Sequence, residues 1–275
     1  MADHPLPLPP ESQGLAPGRG RLENRHILVV GGGQRTVEGA DDIVGNGRAM
    51  CLLFAREGAH VAVADMDQKS AEETVRRIEA EGGKATPLTA NIAEPDQVEN
   101  MIEQARAALG KLDGLVLNVG IGDGMHLAGA TPDVWDKVMT VNLRGPMLTC
   151  RAALPQLAPG ASIVFISSVA GAKAGSRMPA YDASKAALAG LMRHVALEGS
   201  PKAVRANIVA PGLMDTPLGR LSTQGRPSRA QTKIPGGRQG TGWETAYAAL
   251  FFLSNEAAYV NGQTLAVDAG LTSIR

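Results

Sequence analysis

The sequence predicts an α/β fold: a doubly wound parallel sheet of seven strands, flanked by helices in a Rossmann-like single domain. Three observations carry this expectation. Short β-branched apolar runs alternate with longer segments of helical period from Arg25 onward. These runs are apolar along their length, as strands covered on both faces are. Glycines cluster at Gly31, Gly32 and Gly33, directly after the first run, where such a sheet turns from strand into helix.

In order, the strand candidates are HILVV, HVAVAD, KATPLTAN, GLVLNVG, ASIVFISS, VRANIVAPG and QTLAVDAG. Between them lie helices. SAEETVRRIEAEGG reads as opening on a Ser-x-x-Glu capping box at Ser70 and Glu73 and closing on glycine. EPDQVENMIEQARAALG follows the same logic. Residues 1–24, rich in proline and glycine, read as a flexible tail, and 25–275 as the one catalytic domain. The segment from Asp215 to Thr241 lacks apolar periodicity, is full of turn formers and follows a strand end, so it is expected to be a mobile lid.

Lysines and arginines number 27 against 27 acids, so no global field would draw in nucleic acid or an anionic membrane. The tail has no basic region leading into an apolar run, and nowhere do eighteen apolar residues follow one another. A soluble, cytoplasmic protein is expected. Cys51 and Cys150 fall inside apolar helical segments, and no His or Cys cluster has ligand spacing, which suggests neither a disulfide framework nor a metal site.

Helix character resumes near GNGRAMCLLFAREGA, with Gly45 and Gly47 at its start. Backbone N–H groups and the helix dipole there favour a pyrophosphate, although an ordinary glycine-rich turn would look the same. Asp65 tips the balance. It ends the second strand eighteen residues beyond Gly47, where a dinucleotide fold places an acid against the ribose hydroxyls. Asp65 followed by Met66 disfavours an added 2′-phosphate, so NAD is preferred over NADP.

Tyr181 and Lys185 are four residues apart on a predicted helix and so share a face. An ammonium near a phenol favours the phenolate and lowers its pKa from about 10 toward the range of a general base. Alone, the pair reads equally as a half-buried aromatic beside a solvated lysine.

These residues resemble the short-chain dehydrogenases/reductases, in the compact branch whose glycine motif is T-G-x3-G-x-G. Gly31 stands at the threonine and Gly32 at the first glycine, but twelve residues separate Gly32 from Gly45 where the family has three. The nine extra residues contain Glu38, Asp41 and Asp42. A carboxylate beside pyrophosphate would cost binding, so residues 33–44 are expected to loop outward and leave Gly32, Gly45 and Gly47 as the cradle. Arg35 and Arg48 could counter these acids or touch phosphate.

The resemblance extends over residues 25–270. TANIAEP is similar to the family's adenine-contacting segment, at Asn91 and Ile92, and LNVG to its N-N-A-G, at Asn118 and Gly120. Ser168, thirteen residues before Tyr181, stands where the family carries its substrate-positioning serine, with Ser167 as competitor. Asn142 in VNLRG matches N-x-x-G and by resemblance would hold a water linking Lys185 to solvent. NIVAPGLMDT implies that Pro211, Gly212, Met214 and Thr216 lie along the cofactor, and Asp268-Ala269-Gly270 stands where D-G-G is common. The implied function is NAD-dependent hydride transfer between a secondary alcohol or ketone and nicotinamide, by a homo-oligomer, commonly a tetramer, formed through the helix carrying Tyr181.

Three other readings compete: an NADPH-dependent carbonyl reductase, a catalytically silent dinucleotide-binding protein and a sugar-nucleotide epimerase or dehydratase. The substrate loops are expected at 123–127 and 173–178, within reach of His126 and Arg177. Lid residues Arg220, Arg226, Arg229, Lys233 and Arg238 suit either an anionic or acyl-carrier-linked substrate or, as preferred, a solvated face.

Overall fold

A computed structural model describes residues 5–39 and 42–274. The seven expected strands are β1 (His26–Val30), β2 (His60–Asp65), β3 (Lys84–Thr89), β4 (Gly114–Leu117), β5 (Ser162–Ile166), β6 (Arg205–Pro211) and β9 (Thr264–Val267). All pair in parallel, in the order β3-β2-β1-β4-β5-β6-β9. Side chains alternate across a strand, so each strand feeds two cores. Leu28, Val30, Leu115, Leu117 and Phe165 face one layer, and Ile27, Val29, Val116 and Val164 the other. The first layer holds α4 (Pro95–Leu109), α7 (Gly145–Ala153) and α8 (Pro179–Gly199); the second holds α2 (Asn46–Arg56), α3 (Gln68–Ala80) and α10 (Gly242–Leu253). Because β2 and β4 flank β1 on opposite sides, the winding reverses between β1 and β4, and a crevice opens beyond their carboxyl ends.

Short helices α5 (His126–Gly129) and α6 (Pro132–Met139) follow β4. Among the described residues no helix is long and apolar enough to cross a membrane.

Three local expectations change. Helix α3 begins earlier than its capping-box pattern suggests: Asp67 is the N-cap, accepting from Lys69 N and Ser70 N. That frees the Ser70 hydroxyl to hold both backbone groups of Gln34. Residues 215–241 have more structure than a bare loop, with α9 (Pro217–Gln224) and a pairing of two-residue strands, β7 (Met214–Asp215) with β8 (Gly240–Thr241), that closes their base.

Residues 5–24, expected as a flexible tail, instead lie against the body. Proline at the first turn seeds α1 (Pro10–Gln13), and Gly14 takes the left-handed turn at its end. Ser12 is buried, donating to Glu244 while its carbonyl accepts from Thr241. Arg238 donates to the carbonyls of Leu6 and Pro7. Further on, the fully buried Glu57 accepts from the backbone of Arg19 and Arg21 and from the Arg21 guanidinium at 2.6 Å. Burial raises this carboxyl, but the Arg21 side chain and the two amides outweigh it and hold it below the usual range. Replacing Glu57 with Ala leaves the Arg21 guanidinium and two amides without their acceptor and is expected to cost about 3 kcal/mol. Urea unfolding measures that loss, and limited proteolysis should show new cleavage between residues 15 and 24.

Candidate active site

The site begins where β1 stops. Gly31, at φ 82°, turns the chain, and its amide and that of Gly32 both donate to Ala64 O. The first turn of α2 then lies on the Gly31 carbonyl: a Cβ at Gly47 would sit 1.9 Å from that oxygen. Asn118, just past β4, donates to the same carbonyl at 2.8 Å. Helix α2 has no side-chain N-cap, so its first-turn N–H groups face the crevice as an anion site. These features fit the diphosphate of a dinucleotide, with Gly45 and Gly47 at its cradle and Gly32 packed behind, where a Cβ would meet Val63 and Cys51.

The insertion is closed at its neck by one side chain. Gln34 donates to Ile43 O at 2.9 Å and accepts from Gly45 N at 2.7 Å. Glu38 and Asp42 are exposed, and Asp41 lies outside the described residues. Of the two arginines, Arg35 is exposed, whereas Arg48 is buried and donates to Thr74 and to the Ser70 carbonyl. Arg48 thus packs α2 on α3.

Asp65 ends β2 and accepts from Gly33 N and Asp67 N. Among the described residues no cationic side chain pairs with it. Asn91 accepts from Ala93 N, and the buried Ile92 packs on Gly145. Gly120 lies beside Lys185, where a Cβ would come within 3.0 Å of Nζ. Across the cleft, Gly212 is pressed on Asp268, Met214 is buried in β7, and Thr216 caps α9 through Gly219 N. Ala269, where the family has glycine, takes φ 51°.

Ser168, Tyr181 and Lys185 converge on one cleft of roughly 490 Å³, which Gly120, Asn118, Pro211, Gly212, Met214 and Thr216 also line. Ser168, not Ser167, points at Tyr181: the Ser167 hydroxyl is buried and donates to the Lys185 carbonyl. Lys185 is buried, donates to Ile166 O at 3.0 Å and Val119 O at 3.4 Å, and stands 5.8 Å from the Tyr181 ring centroid. Burial holds its ammonium down to about 8. Burial also pushes the Tyr181 phenol above its usual range, overriding the lowering expected from Lys185; the Ser168 hydrogen bond and the charges of Arg226 and Arg229 oppose that rise.

Asn142 sits in a π-helical turn, Thr140–Arg144, a distortion frequent at functional sites. Its amide accepts from Ile121 N and donates to Ile121 O and Ser184 Oγ. It clamps the chain after β4.

A family model described as Enoyl-(Acyl carrier protein) reductase matches residues 39–272. A solved short-chain dehydrogenase/reductase from Burkholderia xenovorans superposes with a TM-score of 0.84 at 34% identity, covering 94% of this chain and 100% of its own. The chain belongs to the short-chain dehydrogenases/reductases. Members of this family are oxidoreductases that take nicotinamide cofactors. Over 91% of the chain it is 33% identical to 99% of a 3-oxoacyl-(acyl-carrier-protein) reductase of Thermotoga maritima. Over 92% it is 36% identical to 99% of a 2-(S)-hydroxypropyl-CoM dehydrogenase of Xanthobacter autotrophicus.

This short-chain dehydrogenase/reductase also brings to the cleft residues that motif reading passed over. Asn46 could have been found, since it sits between the two helix-start glycines. Leu218, Ser222 and Thr232 line the cleft from the lid and Thr272 from the C-terminal turn; no spacing rule marks them. His126 is exposed, its amide donating to Arg177 O, while Arg177 lines the cleft.

The buried Lys185 carries a pH signature. Its pKa falls from 10.5 unfolded to about 8 folded. Below pH 8 the fold bears the full cost of a buried charge. Between pH 8 and 10.5 the unfolded chain binds more protons than the folded one, so the contribution of this group to stability rises with pH. Urea unfolding across that window should show the wild type gaining on Lys185→Met.

Proposed function

We propose that this chain is an NAD-dependent oxidoreductase that interconverts a secondary alcohol and its ketone by hydride transfer, with Tyr181 as the acid–base group. The reading rests on the meeting of Ser168, Tyr181 and Lys185 in one cleft beside an uncapped helix start. When bound, the dinucleotide supplies the hydride acceptor or donor at its nicotinamide ring. Its diphosphate would lie on the first turn of α2, at Gly45 and Gly47, and its adenosine half near Asp65, Asn91 and Ile92. The nicotinamide half would lie among Asn118, Gly120, Pro211, Gly212, Met214 and Thr216.

In the oxidation direction the Tyr181 oxygen takes the hydroxyl proton of the substrate, and the Ser168 hydroxyl fixes the substrate oxygen. Lys185, anchored by two main-chain carbonyls, presents an ammonium to the nicotinamide ribose and favours the Tyr181 phenolate when that ribose is in place. Asn142 keeps the chain at Ile121 in position below them. That the named relatives are a reductase and a dehydrogenase supports either direction of the reaction.

Asp65 favours NAD, since a 2′-phosphate there would meet a carboxylate that no cationic side chain pairs with among the described residues. An NADPH-dependent carbonyl reductase would call for an arginine or lysine at that place. A soluble, cytoplasmic homo-oligomer, a tetramer by family habit, is part of the same reading.

Initial rates with NAD and NADP across a panel of secondary alcohols test it. NAD should be the better cofactor, and Tyr181→Phe should lose roughly 10² to 10⁴ in turnover while keeping its affinity for NAD. Unchanged turnover in that variant overturns the mechanism, and a preference for NADP overturns the role of Asp65.

A further inference from the structure

The chain balances 27 cations against 27 acids, yet its cleft does not. Lys173, Arg177, Lys185, Arg226 and Arg229 line it, and among the described residues no Asp or Glu does. The remaining lid cations are used elsewhere: Arg220 pairs with Asp215, Arg238 with Glu244, and Lys233 is exposed. Arg229 is spent inside the lid, donating to Gly219 O, Thr223 Oγ1 and Met214 O.

Arg226 differs. It is half-buried, and among the described residues its side chain makes one hydrogen bond, from Nη1 to Ser176 O, which ties the lid to the loop that carries Arg177. Its Nε and Nη2 make none among the described residues. No carboxylate lies within 4.0 Å of Arg177, Arg226 or Arg229 among those residues. The nearest acids are Asp215, held by Arg220 at 2.8 Å, and Asp182, whose carboxyl is pushed up by burial while the charge of Arg226 opposes that rise. Arg226 is held below its ordinary value first by burial and then by the charge of Arg177. Such crowding of like charges is costly unless an anion joins it. Arg226 and Arg229 also act on Tyr181, which puts the positive field at the proton-transfer end of the cleft.

We propose that the substrate is a secondary alcohol or ketone carrying an oxyanion, whether carboxylate, sulfonate or phosphate, a few bonds from the reacting carbon, and that Arg226 selects it with Arg177 beside it. A guanidinium whose Nε and Nη2 are free among the described residues suits a bidentate oxyanion better than an ammonium would. The proposal rests on reading the cleft as a hydride-transfer site, and its test separates the two.

Calorimetric titration of Tyr181→Phe protein saturated with NAD would measure binding of 3-hydroxybutyrate, 2-hydroxypropanesulfonate, glycerol 3-phosphate and the neutral methyl 3-hydroxybutyrate. At least one anion should bind about tenfold or more tighter than the ester, the scale of a charge-assisted hydrogen bond, and the ranking names the oxyanion. Adding Arg226→Leu should erase the preference while leaving ester binding within about twofold, and Arg226→Lys should restore part of it. Ester and anions bound alike, or a preference that survives Arg226→Leu, overturn the proposal. Wild-type turnover is measured separately. Anion preference without oxidation of any of these alcohols upholds the selection by Arg226 and removes the hydride-transfer reading.

Discussion

Everything at the cleft is set by how closely the start of α2 approaches the end of β1. Only a residue without a side chain at position 47 lets the helix rest on the Gly31 carbonyl, and Asn118 bonds to that same oxygen. The ends of β1 and β4 and the beginning of α2 are thereby one unit. From it the chain runs past Gly120 to the Lys185 ammonium and on to Ile121, which Asn142 clamps. The nine additional residues leave this unit after Gly33 and return at Gly45, and Gln34 bridges the gap between exit and return. A loop can lengthen at modest entropic cost when its two ends are held like this, so the acids it carries need not approach an anion.

The buried Lys185 is the other constraint. Two main-chain carbonyls, not a carboxylate, receive it, and its charge is therefore poorly compensated. The same holds for the arginines facing it across the cleft. A neutral protein thus lines its cleft with cations that, among the described residues, no carboxylate there offsets, where a negatively charged cofactor or substrate would do so.

The sheet was legible because short runs apolar along their length, alternating with helical segments, leave little choice: all seven strands lie where the sequence puts them. Tyr181, Lys185, Ser168 and the glycines were legible because a local spacing fixes them on one helix face or one strand end. What escaped depends on distant partners. The start of α3 was misplaced because Ser70 serves Gln34 instead of its own helix. The clamp that Asn142 forms could not be read locally because its partners, Ile121 and Ser184, lie 21 and 42 positions away in the chain. Prolines and glycines at the N-terminus suggested flexibility, but the fate of that segment was decided by Glu57, Thr241 and Glu244, which no local pattern connects to it. The lid cations divided into paired and unpaired ones only once their neighbours were known.

The docking of residues 5–24 also bears on how the molecule is made. Ser12 is bound to Glu244, 232 positions further along the chain. A ribosome releases residues 5–12 long before their seat on α10 and the lid base, whereas Glu57, which holds Arg19 and Arg21, follows soon after them. The stretch up to Ser12 must therefore stay unpaired through most of translation and dock when the body is nearly finished. A segment made early is thus fastened late, and a disturbance of it would be felt at the lid.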